Sequence, residues 1–257
     1  MVVGFIGSGN MAAAMARGWA GAGAGAPTEM LFTDSGSGRA TALAAEVSGR
    51  AVRDNDDLVR QADFVILAVK PAALDEVSRS LPTPRAVLSL LGATPLGKLT
   101  ERFPQSTVIR LMPNLAVEAG AGVICMAESD DVDHDILGEA RILLQSIATL
   151  FELPDSDMDV ATAIMGCSPA YFAVVAAALG SAGAHGGLDP DVAIRMVSQS
   201  MSGTAELLRR RTPFEIETAV ASPGGSTEAG LEALAEAGGA EAFRRAYEAS
   251  IARMREG

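Results

Sequence analysis

Two glycine-rich segments could each bind an anion, and they lie near opposite ends of the chain. The first, GSGNMA at Gly7–Ala12, follows a short apolar run and precedes a helical pattern. The second, SPGGST at Ser222–Thr227, also precedes a helical pattern. Glycine lets the backbone turn tightly and approach a ligand, and the first N–H groups of a helix have no intrahelical partner and attract negative charge. These two turns are the candidate binding sites of the chain.

The first turn fits the pattern G-x-G-x-x-G/A, with alanine at its last position. The pattern alone is weak, but here it ends a predicted strand and opens a predicted helix, which is the context that dinucleotide binding requires. The alternative is a tight turn without a ligand. We expect the turn to hold a pyrophosphate through the following residues: Gly7, Ser8, Gly9, Asn10 and Met11.

The end of the second predicted strand bears on the choice between NAD and NADP. Asp34 ends that strand, and a carboxylate there accepts hydrogen bonds from an adenosine ribose and repels a 2′-phosphate, which favours NAD. Ser35, Ser37 and Arg39 follow at once and could hold that phosphate instead. The cofactor is therefore expected to be NADPH or NADH, with the choice left open.

The second turn lies too far along the chain to belong to the dinucleotide turn. Two glycines before a helix expose backbone N–H groups that would suit a smaller anion, such as the carboxylate of a substrate. Thr227 adds a hydroxyl that can donate or accept a hydrogen bond. Taken alone, the segment is more typical of an ordinary helix cap that follows a proline turn.

Strands and helices alternate in the first part of the chain. Apolar runs at Val2–Gly7, Glu29–Asp34, Ala62–Val69, Ala86–Leu91, Ser106–Met112 and Ala121–Ala127 indicate strands, and a helix is expected over Asp133–Thr149. This alternation predicts an α/β fold with a Rossmann-type doubly wound parallel sheet over residues 1–154. Residues 155–257 are predicted to form an all-helical domain, in which Ser168 and Asp189 are expected N-caps before Pro169 and Pro190.

Composition narrows the classes of partner. The chain has 257 residues and a net charge of −12, which argues against nucleic acid or an anionic membrane as the main partner. Its two cysteines form no disulfide framework and no metal pattern, so we expect no metal and a cytoplasmic location. The uncharged run Ala170–Ala184 is short for a membrane span and predicts a buried helix.

Taken together, these motifs make the sequence resemble the pyrroline-5-carboxylate reductase family, whose members reduce a cyclic imine to proline. The resemblance extends over nearly the whole chain. The markers are GFIGSGNMA, LAVKP at Leu67–Pro71, RLMPN at Arg110–Asn114, SPAY at Ser168–Tyr171, and ASPGGSTEAGLEAL at Ala221–Leu234. The last of these is the most specific, because it matches the family signature throughout.

The resemblance implies a Rossmann domain followed by a helical dimerisation and substrate domain, in a homodimer or a higher oligomer of dimers. It implies that Thr227 is the catalytic residue, through a hydrogen bond to the imine nitrogen, and that the substrate, a small imine acid, is bound by Ser222, Gly224, Gly225, Ser226 and Thr227. It also adds further residues along the dinucleotide and near the nicotinamide: Asn55, Val69, Lys70, Pro71, Met112, Pro113 and Asn114.

Several positions depart from the family pattern. Leu90 and Leu91 put bulk near the expected nicotinamide, Leu115 and Ala116 replace the usual Thr-Pro, and Ala177 and Ser181 stand where acidic residues are usual. A sister reductase acting on another cyclic imine or carbonyl, a nucleotide-binding protein without turnover, and a reductase that uses another redox cofactor therefore remain alternatives. The intact second turn argues against the last of these.

Overall fold

The chain forms one mixed sheet and a set of helices. The computed structural model describes residues 1–129 and 132–255. The chain divides into two compact units, Met1–Pro169 with Ile251–Gly257, and Ala170–Ser250. The strands of the first unit are β1 (Val2–Ile6), β2 (Glu29–Thr33), β3 (Arg50–Ala51), β4 (Phe64–Leu67), β5 (Ala86–Ser89), β6 (Thr107–Pro113), β7 (Gly122–Ala127) and β8 (Ala148–Leu153).

The helices between these strands follow the expected alternation. They are α1 (Asn10–Gly21), α2 (Arg39–Glu46), α3 (Asn55–Gln61), α4 (Leu74–Ser80), α5 (Leu96–Arg102), α6 (His134–Gln145) and the short α7 (Met158–Ala161). The strand order is β3-β2-β1-β4-β5-β6-β7-β8. Every pair is parallel except β6 and β7. The predicted doubly wound sheet is confirmed, with one antiparallel step near its end.

Apolar side chains cover both faces of this sheet. On one face Phe5 stacks on Phe32 at 5.0 Å between ring centroids, and Trp19 of α1 donates from its ring nitrogen to the carbonyl oxygen of Leu143 in α6. Helices α3, α4 and α5 bury apolar residues such as Leu58, Leu74 and Leu99 on the other face. Central strands buried on both faces explain why their sequences are almost continuously apolar.

The strand β8 was not predicted from the sequence. The helix expected over Asp133–Thr149 ends at Gln145, and Ala148–Leu153 pairs with β7 as an edge strand. Local preference over these residues allows either structure, and pairing with a neighbouring strand decides between them. The two-residue β3 and the helix α3 were also not predicted.

The second unit is helical, as predicted. Its helices are α8 (Ser168–His185), which starts in the first unit, α9 (Pro190–Leu208), α10 (Pro213–Val220), α11 (Ser226–Glu236) and α12 (Gly239–Arg255), which ends in the first unit. Asp189 caps α9 as expected, because its Oδ1 accepts the N–H of Val192 at 3.0 Å. Within the unit, Tyr171 of α8 hydrogen-bonds Ser250 of α12 at 2.7 Å.

The expected N-cap at Ser168 is wrong. Helical backbone is already continuous from Asp155 to His185, and residues Thr162–Gly166 form one π-helical turn directly before α8. Ser168 instead donates its hydroxyl back to the carbonyl oxygen of Met165 at 3.3 Å. A serine that precedes a proline is a good cap only where a helix begins, and here the preceding turn is helical.

Candidate active site

The first glycine turn directly follows β1, and its first position must be glycine. Gly7 has a φ of +96°, and a Cβ there would lie 2.7 Å from the carbonyl oxygen of Ala68. At Gly9 a Cβ would meet no atom within 4 Å, so the backbone is open to a ligand. Gly9 precedes α1 without a side-chain cap. The first N–H groups of a helix have no intrahelical partner, and in α1 no side chain at the N-cap takes their place, which suits a phosphate.

A cavity of about 510 Å³ opens beside this turn, at the carboxyl ends of β1, β2 and β4. Its volume lies in the range of small-molecule and cofactor sites. The predicted cofactor residues that line it are Gly7, Ser8, Gly9, Asp34, Ser35, Asn55, Val69 and Lys70. Those that do not are Asn10, Met11, Pro71, Met112, Pro113 and Asn114.

Some lining residues were not singled out from the sequence. Thr33 ends β2, and Glu76 and Val77 lie on α4, behind the loop that follows β4. Thr33 donates its hydroxyl to Oδ1 of Asn55 at 2.7 Å, which leaves the carboxamide nitrogen of Asn55 without a protein partner among the described residues. The signal that could have found Thr33 is its position at the carboxyl end of a parallel strand.

The carboxylate of Asp34 is engaged by its own loop. Its oxygens accept hydrogen bonds from the backbone N–H groups of Gly36, Ser37 and Ala40, and from the hydroxyl of Ser37, all within 3.1 Å. The N–H of Ala40, followed by the hydroxyl and amide bonds of the loop, lowers the pKa of Asp34. A carboxylate has about four acceptor sites, so Asp34 is saturated and shapes the loop rather than offering a free acceptor to a ribose.

Two cations border the same cavity. Arg39 and Lys70 line it, and neither side chain makes an ion pair within the described part of the chain. Ser35 and Ser37 lie on the loop between Asp34 and Arg39. Positive charge and hydroxyl groups at this position suit a phosphate, because charge-assisted hydrogen bonds to phosphate oxygens are short and strong.

The residues at the end of β6 lie in the protein interior. Met112 and Pro113 are buried, and the side chain of Met112 belongs, with Leu91, to the core on the face of the sheet that α3, α4 and α5 cover. Asn114 is 7% exposed; its Oδ1 accepts the N–H of Val123 at 3.0 Å, and its Nδ2 donates to the carbonyl oxygen of Met165 at 3.2 Å. The backbone N–H and C=O of Asn114 are also hydrogen-bonded, so each polar group of this residue has a partner inside the protein.

The second glycine turn forms a tight turn before α11. Pro223 and Gly224 are its central residues, the N–H of Gly225 donates to the carbonyl oxygen of Ser222 at 2.9 Å, and Gly224 has a φ of +72°. Proline followed by a left-handed glycine is the pattern of a type II turn. The N–H of Gly224 donates to Oε2 of Glu228 at 2.7 Å.

These hydrogen bonds determine which backbone N–H groups of the turn remain free to bind a ligand. The N–H groups of Gly224 and Gly225 are occupied, whereas those of Ser226, Thr227 and Glu228 begin α11 and have no intrahelical partner. The hydroxyl of Thr227 likewise has no partner among the described residues. An anion at this turn would therefore meet the amides of Ser226 and Thr227 rather than that of Gly225.

Comparison with known proteins gives a consistent result over the whole chain. Residues 155–257 match the family model for pyrroline-5-carboxylate reductase dimerisation, and residues 2–91 match the model described as NADP oxidoreductase, coenzyme F420-dependent. A pyrroline-5-carboxylate reductase from Synechocystis sp. is 32% identical over 99% of this chain and 97% of its own length. This chain belongs to the pyrroline-5-carboxylate reductase family.

Solved structures of the family agree with this fold. The crystal structure of 1-pyrroline-5-carboxylate reductase from Streptococcus pyogenes matches with a TM-score of 0.89 and 27% identity, over 100% of this chain and 99% of that one. The Plasmodium falciparum pyrroline carboxylate reductase, solved with NADP bound, matches with a TM-score of 0.85 and 25% identity, over 100% and 97% of the two chains. The expected family, fold class and nicotinamide cofactor are thereby confirmed.

The departures from the pyrroline-5-carboxylate reductase pattern lie in different environments. Leu91 is 1% exposed in the core, so its bulk does not enter a binding site, and Leu90 packs partly buried against the other core. Leu115 is 53% exposed. Ala177 and Ser181 are both exposed on α8. Leu91 is thus a packing change, and the structure gives no reason for the residues at the other positions.

The dimerisation region of this family member exposes much apolar surface. The helix expected to be buried at Ala170–Ala184 is exposed within the chain, with Phe172 at 56%, Val174 at 69% and Leu179 at 55%. Phe172 and Leu179 line an apolar groove of about 580 Å³ together with Met201 and Leu208. A surface of this kind is typical of a protein–protein interface, in keeping with the matched dimerisation domain and a homo-oligomer.

Three further observations concern a possible membrane span, the two cysteines and metal binding. The helical stretch Asp155–His185 is long and apolar enough to cross a membrane by length and composition alone, since an 18-residue window within it has a mean hydropathy of 1.7. Both cysteines are unpaired, and burial raises the pKa of the Cys125 thiol, which disfavours its thiolate. In the described ranges, no group of three or more His, Cys, Asp or Glu side chains is placed to hold a metal ion.

Proposed function

We propose that this chain is the pyrroline-5-carboxylate reductase of its host and reduces 1-pyrroline-5-carboxylate to L-proline in proline biosynthesis. The observation that carries the proposal is the second turn, where the unpaired amides of Ser226 and Thr227 open a helix within the sequence that marks the family. A helix N-terminus with unpaired amides favours a carboxylate, which this imine acid bears.

The proposed mechanism requires little acid–base catalysis from the protein. A nicotinamide cofactor supplies the hydride when it is bound. The amides of Ser226 and Thr227 would hold the substrate carboxylate, and the hydroxyl of Thr227 would hydrogen-bond the imine nitrogen and thereby fix the ring. A protonated imine is already a strong electrophile, so orientation by a few fixed donors accounts for most of the acceleration.

Residues of the first unit would hold the cofactor. The glycine turn suits a pyrophosphate, since Gly9 leaves its backbone open and α1 begins there with unpaired amides. Lys70 lies on the same cavity and would add positive charge beside the phosphates. The prediction that Met112, Pro113 and Asn114 lie near the nicotinamide stays a prediction.

We further propose that the cofactor is NADPH rather than NADH. Asp34 is the residue that would favour NADH, but its carboxylate is saturated by its own loop. That loop presents Arg39, a cation without an ion pair in the described ranges, together with Ser35 and Ser37. A 2′-phosphate would find the guanidinium of Arg39 and the hydroxyl of Ser35 at this side of the cavity, whereas the hydroxyl of Ser37 is donated to Asp34.

The cofactor preference is tested by Arg39→Ala. Loss of a charge-assisted hydrogen bond to phosphate removes about 1.5–3 kcal/mol, so kcat/KM for NADPH should fall by roughly 10- to 150-fold. The value for NADH should change less than about threefold, because NADH has no phosphate there. Equal losses with the two cofactors would contradict the assignment.

The reaction is tested by following NADPH oxidation with pyrroline-5-carboxylate, and in parallel with other cyclic imines. Thr227→Ala should lower kcat/KM by at least about threefold to tenfold, since a neutral hydrogen bond contributes about 0.5–1.5 kcal/mol. Thr227→Ser keeps the hydroxyl and should retain most activity. Equal kinetics for Thr227→Ala and wild type would reduce this segment to a helix cap, and higher turnover of another imine would favour a sister reductase.

The assembly and location follow from the same family assignment. We propose a homodimer, or an oligomer of such dimers, built through the exposed apolar helices of the second unit. Two unpaired cysteines and a reduced nicotinamide cofactor suit the reducing cytoplasm, which we propose as the location.

A further inference from the structure

Two of the sequence motifs, RLMPN and SPAY, meet in the structure at a single carbonyl group. Pro169 in the second motif has no backbone N–H, so it cannot donate to the carbonyl four residues earlier in the helix, which is that of Met165. An unpaired carbonyl in a buried helix is costly. Two side chains donate to it instead: Asn114, from the first motif, at 3.2 Å, and Ser168, from the second motif, at 3.3 Å.

Asn114 joins this carbonyl to the sheet. Its Oδ1 accepts the N–H of Val123 at the start of β7, and its backbone N–H donates to the carbonyl oxygen of the same residue at 3.0 Å. The residue is only 7% exposed. It therefore holds three segments together: the end of β6, the start of β7 and the π-helical turn Thr162–Gly166.

The three segments that Asn114 joins lie where ligands bind in folds of this kind. Strands β1, β4, β5 and β6 are parallel, so their carboxyl ends lie on the same side of the sheet. Asn114 follows β6 on that side, where the first glycine turn follows β1. Ligands of open parallel sheets bind at these carboxyl ends. The turn Thr162–Gly166 leads directly into α8, and single π-helical turns are frequent at functional sites.

We propose that Asn114 is a positioning residue, which ties the start of α8 to the carboxyl ends of the parallel strands, where the cofactor is proposed to bind. It does so by donating to the carbonyl of Met165, to which Pro169 has no N–H to donate. It acts on the reaction through the segment Thr162–Pro169 and not by touching the cofactor, since each of its polar groups already has an internal partner. The kinetic part of this inference rests on the proposed reductase function; the structural part does not.

The structural part is tested by a double-mutant cycle in urea. Asn114→Leu leaves the N–H of Val123 without its side-chain partner and the carbonyl of Met165 with only the hydroxyl of Ser168, at 3.3 Å, and should raise the equilibrium constant of unfolding by roughly 10- to 100-fold. Pro169→Ala restores a backbone N–H for Met165. In the Pro169→Ala background, the effect of Asn114→Leu should be at least about threefold smaller. Strictly additive effects would overturn the proposed link.

The kinetic part is tested on the full-length enzyme. Asn114→Leu should lower kcat by roughly tenfold or more while the Kd for NADPH, measured by fluorescence titration, changes less than about twofold. Hydrogen exchange at the amide of Val123 should accelerate in the same variant. Leu144→Ala, which removes a fully buried side chain from the opposite core, is the matched control and should lower stability without lowering kcat.

The outcomes separate the two proposals. A large loss of NADPH affinity in Asn114→Leu with unchanged stability would show direct contact with the cofactor and overturn the positioning role. A wild-type enzyme that does not turn over pyrroline-5-carboxylate would refute the proposed function, yet the urea cycle and the exchange rate at Val123 would still decide whether Asn114 ties the segment to the sheet.

Discussion

The two glycines of the first turn should respond in opposite ways to the same substitution. Gly9 has a φ of −81°, which any residue adopts, and an added Cβ would meet nothing within 4 Å. Gly7 has a φ of +96°, and its added Cβ would lie 2.7 Å from a backbone oxygen. We therefore expect Gly9→Ala to fold normally and lose cofactor affinity, and Gly7→Ala to lose stability.

The magnitudes follow from these geometries. For Gly9→Ala, the reduced entropy of the unfolded chain and the poorer helix N-cap act in opposite directions, so stability should stay within about 1 kcal/mol of wild type. A methyl group at the open face should displace at least one amide–phosphate hydrogen bond, a loss of about 1.5–3 kcal/mol, or roughly 10- to 150-fold in Kd. Gly7→Ala places a side chain in the left-handed region and against a carbonyl, and should cost about 1–3 kcal/mol or more in stability.

The assay pairs urea denaturation with fluorescence titration of NADPH for wild type and both variants. Gly9→Val is a stronger form of the same test, because its larger side chain extends further into the opening. If Gly9→Ala or Gly9→Val binds NADPH as tightly as wild type while folded, the first turn does not hold the pyrophosphate. If Gly7→Ala is as stable as wild type, the close approach to Ala68 is not a real constraint.

Two further predictions concern the buried ion pair and the exposed helices. The side chain of Arg110 is 3% exposed and forms an ion pair with Asp155 at 2.6 Å. Arg110→Met should therefore lower the free energy of unfolding in urea by about 3 kcal/mol, and adding Asp155→Asn should recover part of this loss. An unchanged urea midpoint for Arg110→Met would refute the importance of the pair. Phe172→Glu places a charge on the apolar groove and should shift the assembly towards a 26.3 kDa monomer in sedimentation, whereas unchanged assembly would place the interface elsewhere.

Local patterns in the sequence determined the first unit well. The turn at Gly7–Ala12 and the apolar strands around it predict a parallel sheet, because strands buried on both faces are apolar throughout and a glycine turn before a helix has few other uses. The second turn is likewise readable, since proline, glycine and the start of a helix lie within six consecutive residues. Interactions between near neighbours in sequence are sufficient for these features.

Contacts between distant residues decided the rest. The strand β8 exists because Ala148–Leu153 pairs with β7, although the helix predicted from the sequence runs to Thr149.

No sequence pattern links Asn114 to Pro169. Pro169 has no N–H to donate to the carbonyl of Met165, and the side chain of Asn114 reaches that carbonyl from a distant part of the chain. Hydrogen bonds of this kind have no periodicity along the chain. Motifs can therefore name the residues of a site, but only the tertiary structure shows which polar groups are already occupied and which remain for a ligand.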